Sequence, residues 1–358
     1  MTIIITGVAG FIGGHCAARF MRDGHRVVGV DNLSRPGSAA NRAWLQEQGG
    51  PLFTFYQVDV RYFPDLSAIF RSHSQATSVI HEAAQVAVTT SVSNPRADFE
   101  VNALGTFNVL EAARQLTPSA LVVFASTNKV YGALSDAAVV ESDNRYAYKP
   151  PRTGIDENRR LDFHSPYGCS KGCADQYVRD YSRIYGIPTV VFRQSCIYGT
   201  RQFGVEDQGW VSWFAIAALL GLPLTVYGDG KQVRDLLWID DLVDVYELAV
   251  SRPAAVAGKI YNIGGGPQNT LSVLELLNEL RRQFPGLAPT FSGWRPGDQK
   301  IYVSGISRAA SELGWSPSTS PATGLRRLLD WATACRPLIE RVLAAKEQSG
   351  GIPVSLCL

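Results

Sequence analysis

The chain has 358 residues, of which 46% are hydrophobic and 18% charged, and its formal net charge is +2. This length and composition predict a globular protein with a large core and two domains or lobes. No run of Lys and Arg stands out, so neither nucleic acid nor an anionic membrane is expected as a partner.

The cysteines favour a reducing compartment and no metal site. They are scattered and form neither a CxxC motif nor a Cys/His cluster of zinc spacing: Cys16, Cys169, Cys173, Cys196, Cys335 and Cys357. We therefore expect reduced thiols, no bound metal and a cytoplasmic protein. The first residues, MTIIITG, already have the pattern of a buried strand, so no signal peptide is expected. The longest apolar run, WFAIAALLGLPL from Trp213, is broken by glycine and proline and predicts a core helix rather than a membrane span.

Short apolar runs alternate with helical patterns through the first half of the chain. We predict strands at residues 3–6, 26–31, 53–58, 78–81, 121–125 and 189–192. A helix is predicted over 98–115, and another over the segment that contains HSPYGCSKGCADQY. The strand runs are continuously apolar, as in strands that are buried on both faces. This order predicts an α/β fold with a Rossmann-type doubly wound parallel sheet.

After about residue 193 the rhythm changes, which predicts a smaller mixed α/β substrate lobe. Segments 236–239 and 259–262 are candidates to rejoin the main sheet. We assign 1–193 plus about 232–265 to the cofactor-binding domain, about 194–231 plus 266–338 to the smaller lobe, and 339–358 to a C-terminal surface tail. Ser272 followed by Glu275 predicts a capping box at the start of the helix VLELLNELRR.

The segment TGVAGFIGGH directly follows the first predicted strand and contains Gly7, Gly10 and Gly13 at three-residue spacing. Glycines at such a turn let the backbone approach a pyrophosphate at a helix N-terminus. Asp31 ends the second predicted strand, where a carboxylate accepts the adenosine ribose hydroxyls and repels a 2′-phosphate. These residues predict NAD as the cofactor, and Arg35 is the feature that would favour NADP instead.

Tyr167 precedes Lys171 by one helical turn. Ser165 is suited to cap this helix, and Pro166 to occupy its first turn. By itself the pair fits either a partly buried helix face or a catalytic pair. In the second interpretation Tyr167 is a general base whose pKa, about 10 in isolation, is lowered by the adjacent ammonium.

Together, GxxGxxG, the acidic end of the second strand, FASTNKVYG (124–132) and YxxxK resemble the pattern of extended short-chain dehydrogenases/reductases. Within that class, GIDENRRLDFHSPYGCSKGCADQYVRDY, YGTRQFGVEDQGW and WRPGDQK are similar to the CDP-tyvelose (CDP-paratose 2-) epimerase family. One departure is Gln194 in FRQSC, where that family leads us to expect a histidine.

The resemblance implies that Thr127, Tyr167 and Lys171 are the catalytic trio. Thr127 would donate to the sugar oxygen while Tyr167 takes the proton, and the neighbouring Ser126 is the less favoured choice. The Lys171 ammonium and the oxidised nicotinamide would both favour the phenolate.

The loop after Thr127 bears on the type of reaction. It has Asn128 and Lys129 where related dehydratases carry Asp-Glu to eliminate water. Without that extra acid and base, the simplest chemistry is transient oxidation followed by hydride return, which is epimerisation.

Ligand contacts are also implied by the resemblance. For NAD they are Gly7, Gly10, Phe11, Ile12, Gly13, Asp31, Asn32, Asp59, Val60, Ala83, Ala84, Gln85, Asn102, Tyr167 and Lys171. For the substrate they are Ser126, Thr127, Arg201, Gln208, Tyr227, Arg234, Arg295 and Asp298. Arg234 and Arg295 match diphosphate-binding arginines of the class, and guanidinium groups suit forked phosphate contacts.

The expected function is NAD-dependent epimerisation of a nucleotide-activated hexose, with a CDP-sugar inverted at C2 through a keto-sugar. The alternatives are a UDP-hexose 4-epimerase with the same trio and a non-catalytic NAD-binding regulatory protein. The long segment between Tyr131 and Tyr167 favours C2 chemistry, and the retained Tyr/Lys pair argues against a regulatory protein. The resemblance also implies a homo-oligomer, either a dimer or a tetramer.

Overall fold

A parallel sheet of seven strands organises the computed structural model, in which residues 1–295 and 297–348 are described. The strands are β1 (Thr2–Thr6), β2 (Arg26–Asp31), β3 (Phe53–Gln57), β4 (Ser78–His81), β5 (Leu121–Thr127), β6 (Val139–Glu141), β7 (Tyr146–Tyr148), β8 (Thr189–Gln194), β9 (Ile197–Tyr198), β10 (Thr225–Tyr227), β11 (Val233–Asp235), β12 (Leu237–Trp238), β13 (Lys259–Ile263), β14 (Thr270–Ser272), β15 (Thr290–Ser292) and β16 (Ile301–Tyr302). The helices are α1 (Phe11–Arg22), α2 (Ser38–Gly49), α3 (Phe63–Ser72), α4 (Val88–Ser93), α5 (Pro95–Phe99), α6 (Gly105–Leu116), α7 (Ser165–Tyr185), α8 (Trp210–Leu220), α9 (Ile239–Ser251), α10 (Pro253–Val256), α11 (Val273–Gln283), α12 (Ser307–Leu313), α13 (Pro321–Ala334) and α14 (Arg336–Gln348). Gly50–Leu52 and Asn128–Tyr131 are short 3₁₀ helices, and Glu100–Leu104 is a π-helical turn.

The main sheet has the strand order β13-β8-β5-β4-β1-β2-β3, and every neighbouring pair is parallel. The order reverses between β1 and β4, which creates a crevice at the carboxyl ends of these strands. The predicted Rossmann-type doubly wound sheet is therefore confirmed.

Strand β1 shows why this sheet is the centre of the core. Its side chains alternate between faces, with Ile3 and Ile5 in the apolar cluster on one side and Ile4 in the cluster on the other. All three are completely buried. A continuous apolar run is therefore the pattern that a strand covered by helices on both faces requires.

The predicted main-sheet strands are all present, and Lys259–Ile263 extends the sheet at one edge as β13. The suggestion that 236–239 rejoins this sheet is wrong. Strand β12 pairs with β9 in a separate two-stranded sheet, because the chain turns from β12 directly into α9. The helix predicted over 98–115 is divided into the end of α5, the π-helical turn and α6.

Smaller sheets are formed by strands that come after β8 in the chain, namely β14-β11-β16 and β10-β15. The capping box that begins α11 is confirmed. The Glu275 N–H donates to Ser272 Oγ at 3.1 Å, and the Ser272 N–H donates to Glu275 Oε2 at 2.8 Å. The proposed domain boundaries stay a prediction.

The apolar run from Trp213 lies in α8, where Phe214, Ala215 and Ile216 are buried. Within 1–295 and 297–348, no helix has the length and apolar character needed to cross a membrane. The segment expected to be a tail from residue 339 differs from the structure, since it continues α14 to Gln348. Ile339 is buried beside Ile216 and Ala332, which explains why the chain stays helical there; residues 349–358 lie outside the described part.

A buried ion pair fixes α7 to the sheet. Arg193 of β8 donates from Nε and Nη2 to the two carboxylate oxygens of Asp175 in α7, at 2.9 and 3.0 Å. The two side chains are 2% and 0% exposed. Ser126 of β5 donates to the same carboxylate at 2.7 Å, and Tyr131 accepts from Arg193 Nη1 at 3.1 Å. This network joins β8, α7, β5 and the 3₁₀ helix Asn128–Tyr131 without leaving either charge unpaired.

Replacing Asp175 by Ala should lower the free energy of unfolding by roughly 3–5 kcal/mol, because Arg193 would stay buried without its counter-charge. Urea denaturation measures this loss. The double variant Arg193→Met, Asp175→Leu should lose less than Asp175→Ala alone, since it removes both charges. The exposed pair Arg282–Glu279 provides the control, and Arg282→Met should change stability by less than about 0.5 kcal/mol. A loss below about 1 kcal/mol for Asp175→Ala would contradict the role of this pair.

Candidate active site

Three neighbouring cavities occupy the carboxyl edge of the main sheet. The glycine-loop cavity, about 290 Å³, is lined by Gly7, Gly10, Asp31, Asp59 and Ala83 among others. The tyrosine cavity, about 230 Å³, is lined by Thr127, Tyr167 and Lys171. The arginine cavity, about 260 Å³, is lined by Tyr227, Arg234, Arg295 and Asp298. Val86 and Gln208 line all three, so the cavities adjoin one another.

The glycine loop brings the backbone close to β4 and to the start of α1. Gly7 has a φ of +69°, and a Cβ there would lie 2.6 Å from the Ala83 backbone nitrogen. A Cβ on Gly13 would lie 2.3 Å from the Gly7 carbonyl oxygen. The N-terminus of α1 faces the cavity, and the first N–H groups of a helix have no acceptor within it. This is a cradle for an anionic group such as a pyrophosphate.

Two acidic side chains, Asp31 and Asp59, also line the glycine-loop cavity. Asp31 accepts hydrogen bonds from the backbone N–H groups of Ala9 at 3.0 Å and Leu33 at 2.7 Å. Burial raises the pKa of Asp31, although these two hydrogen bonds oppose the rise. Asp59 accepts from Asn32 at 2.9 Å. Burial would raise the pKa of Asp59 too, but hydrogen bonds from Arg61 outweigh it and lower the pKa to about 2.

Most of the residues predicted to contact the cofactor line this cavity, including Phe11, Ile12, Val60, Ala84 and Gln85. Asn102 is different because it is completely buried behind the wall. Its amide exchanges hydrogen bonds with the backbone of Gln85, at 2.9 and 3.0 Å, and so supports the wall. Tyr167 and Lys171 line the tyrosine cavity rather than this one.

Two arginines that the sequence analysis singled out, Arg201 and Arg35, line the glycine-loop cavity. Arg201, predicted to contact the substrate, lines the glycine-loop cavity and stacks over Trp44 at 4.0 Å. It is therefore separated from Arg234 and Arg295, which line the arginine cavity. Arg35, the residue that would favour NADP, is directed across the cavity and donates to Gln208 at 2.9 Å.

Helix α7 positions Tyr167 and Lys171. As predicted, Ser165 caps its first turn, where Ser165 Oγ accepts from the Gly168 N–H at 3.2 Å. The Tyr167 backbone N–H donates to Ser91 Oγ at 3.1 Å, and the tyrosine side chain is 9% exposed. Lys171 is buried one turn later, with its ammonium 4.3 Å from the centre of the Phe124 ring.

The expectation that the Lys171 ammonium lowers the pKa of Tyr167 differs from the structure. Burial raises the pKa of Tyr167 to about 12, and the groups that oppose this rise are Thr127 and Arg35. Burial also lowers the pKa of Lys171 to about 8, opposed by the carboxylates of Glu82, Asp175 and Asp98. The positive charge of Lys171 is thus offset by nearby carboxylates. With a pKa of about 12, the Tyr167 phenol is protonated at neutral pH.

The neighbours Ser126 and Thr127 have different roles in the structure. Ser126 Oγ donates to the buried Asp175, so its hydroxyl belongs to the network that anchors α7. Thr127 lines the tyrosine cavity; its Oγ1 accepts from the Lys129 N–H at 3.2 Å and donates to Asn128 Oδ1 at 3.3 Å. This arrangement favours Thr127 over Ser126 as the group that meets a ligand, although both line the cavity.

The arginine cavity holds cations that are already paired with acids. Arg295 lies 3.7 Å from the centre of the Tyr227 ring, donates to the Glu206 carbonyl at 3.2 Å and approaches Asp207 at 3.5 Å. Arg234 lies 4.0 Å from Asp298. An anionic group that entered here would exchange these contacts for its own.

A model of the NAD dependent epimerase/dehydratase family matches residues 3–264, which is more than half of the chain. The chain belongs to this family. It is 41% identical over 341 residues to the CDP-paratose 2-epimerase of Salmonella typhi, across 93% of this chain and all of the relative. The family is enzymatic and uses NAD, which fits the glycine cradle and the Asp31 carboxylate.

Solved structures of similar proteins share the fold. The dTDP-glucose 4,6-dehydratase of Streptomyces venezuelae, solved with NAD bound, gives a TM-score of 0.82 at 28% identity over 96% of this chain and all of that chain. The UDP-glucose 4-epimerase of Thermus thermophilus, in complex with NAD, gives 0.75 at 32% identity over 92% of this chain and 98% of that chain.

Three ionisable residues that the sequence did not predict as ligand contacts line these cavities. Arg35 lines the glycine-loop cavity, and Glu82 lines both the glycine-loop and tyrosine cavities. Lys129 lines the arginine cavity and donates to the Gly297 carbonyl at 3.2 Å. Burial lowers the pKa of its amine to about 8. The available signal was a charged residue within four residues of the end of a buried strand, where parallel sheets place their ligands.

Replacing Gly13 by Ala should strongly reduce bound NAD, because the new Cβ would meet the Gly7 carbonyl at 2.3 Å and displace the loop. Gly14→Ala is the matched control in the same helix, since its nearest neighbour is at 3.5 Å, an ordinary contact. The NAD content of each purified protein is the measurement. Equal NAD content in the two variants would contradict this role for the loop.

Proposed function

We propose that the enzyme inverts C2 of a CDP-activated hexose through a transient 2-keto sugar. The observation that carries this proposal is that the tyrosine cavity adjoins both other cavities. It shares Glu82 and Ala84 with the glycine-loop cavity, and Asn128 and Cys196 with the arginine cavity. A ligand anchored in the arginine cavity would extend toward Thr127 and Tyr167. Similarity to a CDP-paratose 2-epimerase along the whole of that relative supports the CDP-sugar and the C2 position.

Each member of the trio has a separate task. Thr127 Oγ1 donates to the sugar oxygen, and Tyr167 exchanges the hydroxyl proton. When bound, NAD supplies the acceptor and donor of hydride and a positive charge that favours the phenolate. Lys171 supports the cofactor and the phenol while its own charge is balanced by Glu82, Asp98 and Asp175.

The arginine cavity supplies the anchor about which the keto-sugar turns. Arg234 and Arg295 hold the diphosphate, with Tyr227 and Asp298 beside them. Gln208 lies where the cavities adjoin and orients the sugar. Holding the diphosphate while releasing the sugar ring lets hydrogen leave one face and return to the other.

Tyr167→Phe should lower turnover by roughly 100–10,000-fold, because the variant keeps the ring but loses the proton acceptor. Tyr177→Phe is the control on the same helix, where the side chain is 47% exposed and turnover should stay unchanged. Both variants should retain bound NAD, which separates a catalytic loss from a folding defect. Near-wild-type turnover by Tyr167→Phe would refute the assignment.

The function is tested by offering CDP-, UDP- and dTDP-hexoses and identifying the products by NMR. A CDP-hexose deuterated at C2 should keep its label and react more slowly if chemistry limits turnover, whereas a C4 label should have no effect. In heavy water, no solvent deuterium should appear at C2. Conversion of a UDP-hexose with a rate sensitive to the C4 label would instead establish a 4-epimerase. Deuterium from solvent at C2 would refute direct return of the hydrogen.

The protein is a cytoplasmic homo-oligomer. Large apolar side chains are exposed on three neighbouring helices: Phe99 on α5, Phe107 on α6 and Ile184 on α7, at 56%, 39% and 66%. Covering them with a second copy would remove this apolar surface from water. The free thiols among the described cysteines support a reducing compartment. Sedimentation velocity measures the oligomeric state, and a monomer would contradict this assignment.

A further inference from the structure

Glu82 occupies the boundary between the glycine-loop and tyrosine cavities. It directly follows β4 and lines both cavities. The other described residues that line both are Phe11, Ile12, Ala84, Val86, Gln202 and Gln208. Within this described set, Glu82 is therefore the one ionisable side chain.

The protein holds the Glu82 carboxylate in a defined position. Tyr246 of α9 donates its hydroxyl proton to Glu82 Oε1. The Tyr246 oxygen in turn accepts from Gln194 Nε2 at 2.6 Å, and both of these side chains are buried. Gln194 is the residue that replaces the histidine expected from the family resemblance, so this chain of hydrogen bonds depends on a departure from that pattern.

The charges around Glu82 favour a further cation. Burial raises the pKa of Glu82 to about 7, opposed by the hydrogen bond from Tyr246 and by the Lys171 ammonium. A buried carboxylate is costly unless positive charge compensates it. Lys171 is shared with Asp98 and Asp175, so its ammonium compensates Glu82 only in part. A second positive charge at this boundary would therefore be stabilised.

We propose that Glu82, held by Tyr246 and Gln194, makes the enzyme bind the oxidised, cationic form of NAD more tightly than the reduced form. The inference rests on the proposed function, in which NAD would lie in the glycine-loop cavity and exchange hydride with a sugar in the tyrosine cavity. An epimerase returns its cofactor to the oxidised form in every turnover, and an enzyme that kept the reduced form could not begin the next one. Glu82 thereby disfavours that inactive state.

The experiment compares the dissociation constants of NAD+ and NADH for protein freed of cofactor, by titration calorimetry at pH 8.5. In Glu82→Gln, the ratio of the NADH constant to the NAD+ constant should fall by about tenfold, because a charge of the opposite sign is lost within the site. Glu82→Leu should show the same fall and avoids burying an unpaired amide. Glu82→Asp keeps the charge and should retain most of the ratio.

Asp31→Asn provides the matched control, because it removes a carboxylate at the other end of the cofactor cavity. It should weaken NAD+ and NADH alike and leave their ratio unchanged. Thermal melting of every variant identifies those that do not fold. An unchanged ratio in folded Glu82→Gln or Glu82→Leu would overturn the inference. Failure of the wild-type protein to bind either form would instead refute the proposed cofactor site.

Discussion

The bidentate pair between Arg193 and Asp175 is the interaction on which the geometry of the active site depends. Asp175 lies one helical turn after Lys171 and two turns after Tyr167, so the pair fixes the depth and rotation of α7 against β8. Ser126 donates to the same carboxylate and precedes Thr127 in β5. A single buried carboxylate therefore holds the helix and the strand that carry the trio. Separating the two side chains would leave each of them buried without its counter-charge, which is costly. The arrangement is therefore rigid.

Burial explains the electrostatics of the site as well as its rigidity. It raises the pKa of Tyr167 to about 12 and that of Glu82 to about 7, and it lowers that of Lys171 to about 8. Each shift favours the neutral form of its group, as desolvation requires. Burial thus disfavours charge on all three side chains. A cationic ligand would shift all three pKa values at once. In the proposed function, the oxidised cofactor would suit this environment, because its positive charge would stabilise the Tyr167 phenolate and the Glu82 carboxylate together.

Local patterns predicted the parts of the structure that depend on neighbours in sequence. The buried strands, the glycine turn, the Ser165 cap and the capping box of α11 each follow from a few consecutive residues. Long-range contacts, which short patterns do not show, decide the rest. Arg201 stacks on Trp44 in the glycine-loop cavity, and Lys171 lies beside the Phe124 ring with acids near it. Burial raises the pKa of Tyr167, although the sequence predicted that Lys171 lowers it. Ile339 keeps α14 helical because it packs against Ile216, far earlier in the chain.

In the proposed function, the trio alone would not determine which carbon is oxidised, since Thr127, Tyr167 and Lys171 would act on any hydroxyl presented to them. The choice depends on where the nucleotide diphosphate is fixed relative to the phenol. Arg234 and Arg295 belong to the arginine cavity, and Tyr167 belongs to the tyrosine cavity. If the diphosphate were held one sugar carbon further along, a different hydroxyl of the sugar would lie beside Tyr167. The reaction at that hydroxyl would stay the same. In the proposed function, substrate specificity would therefore depend on how the arginine cavity is placed relative to the tyrosine cavity, and Val86 and Gln208 line both.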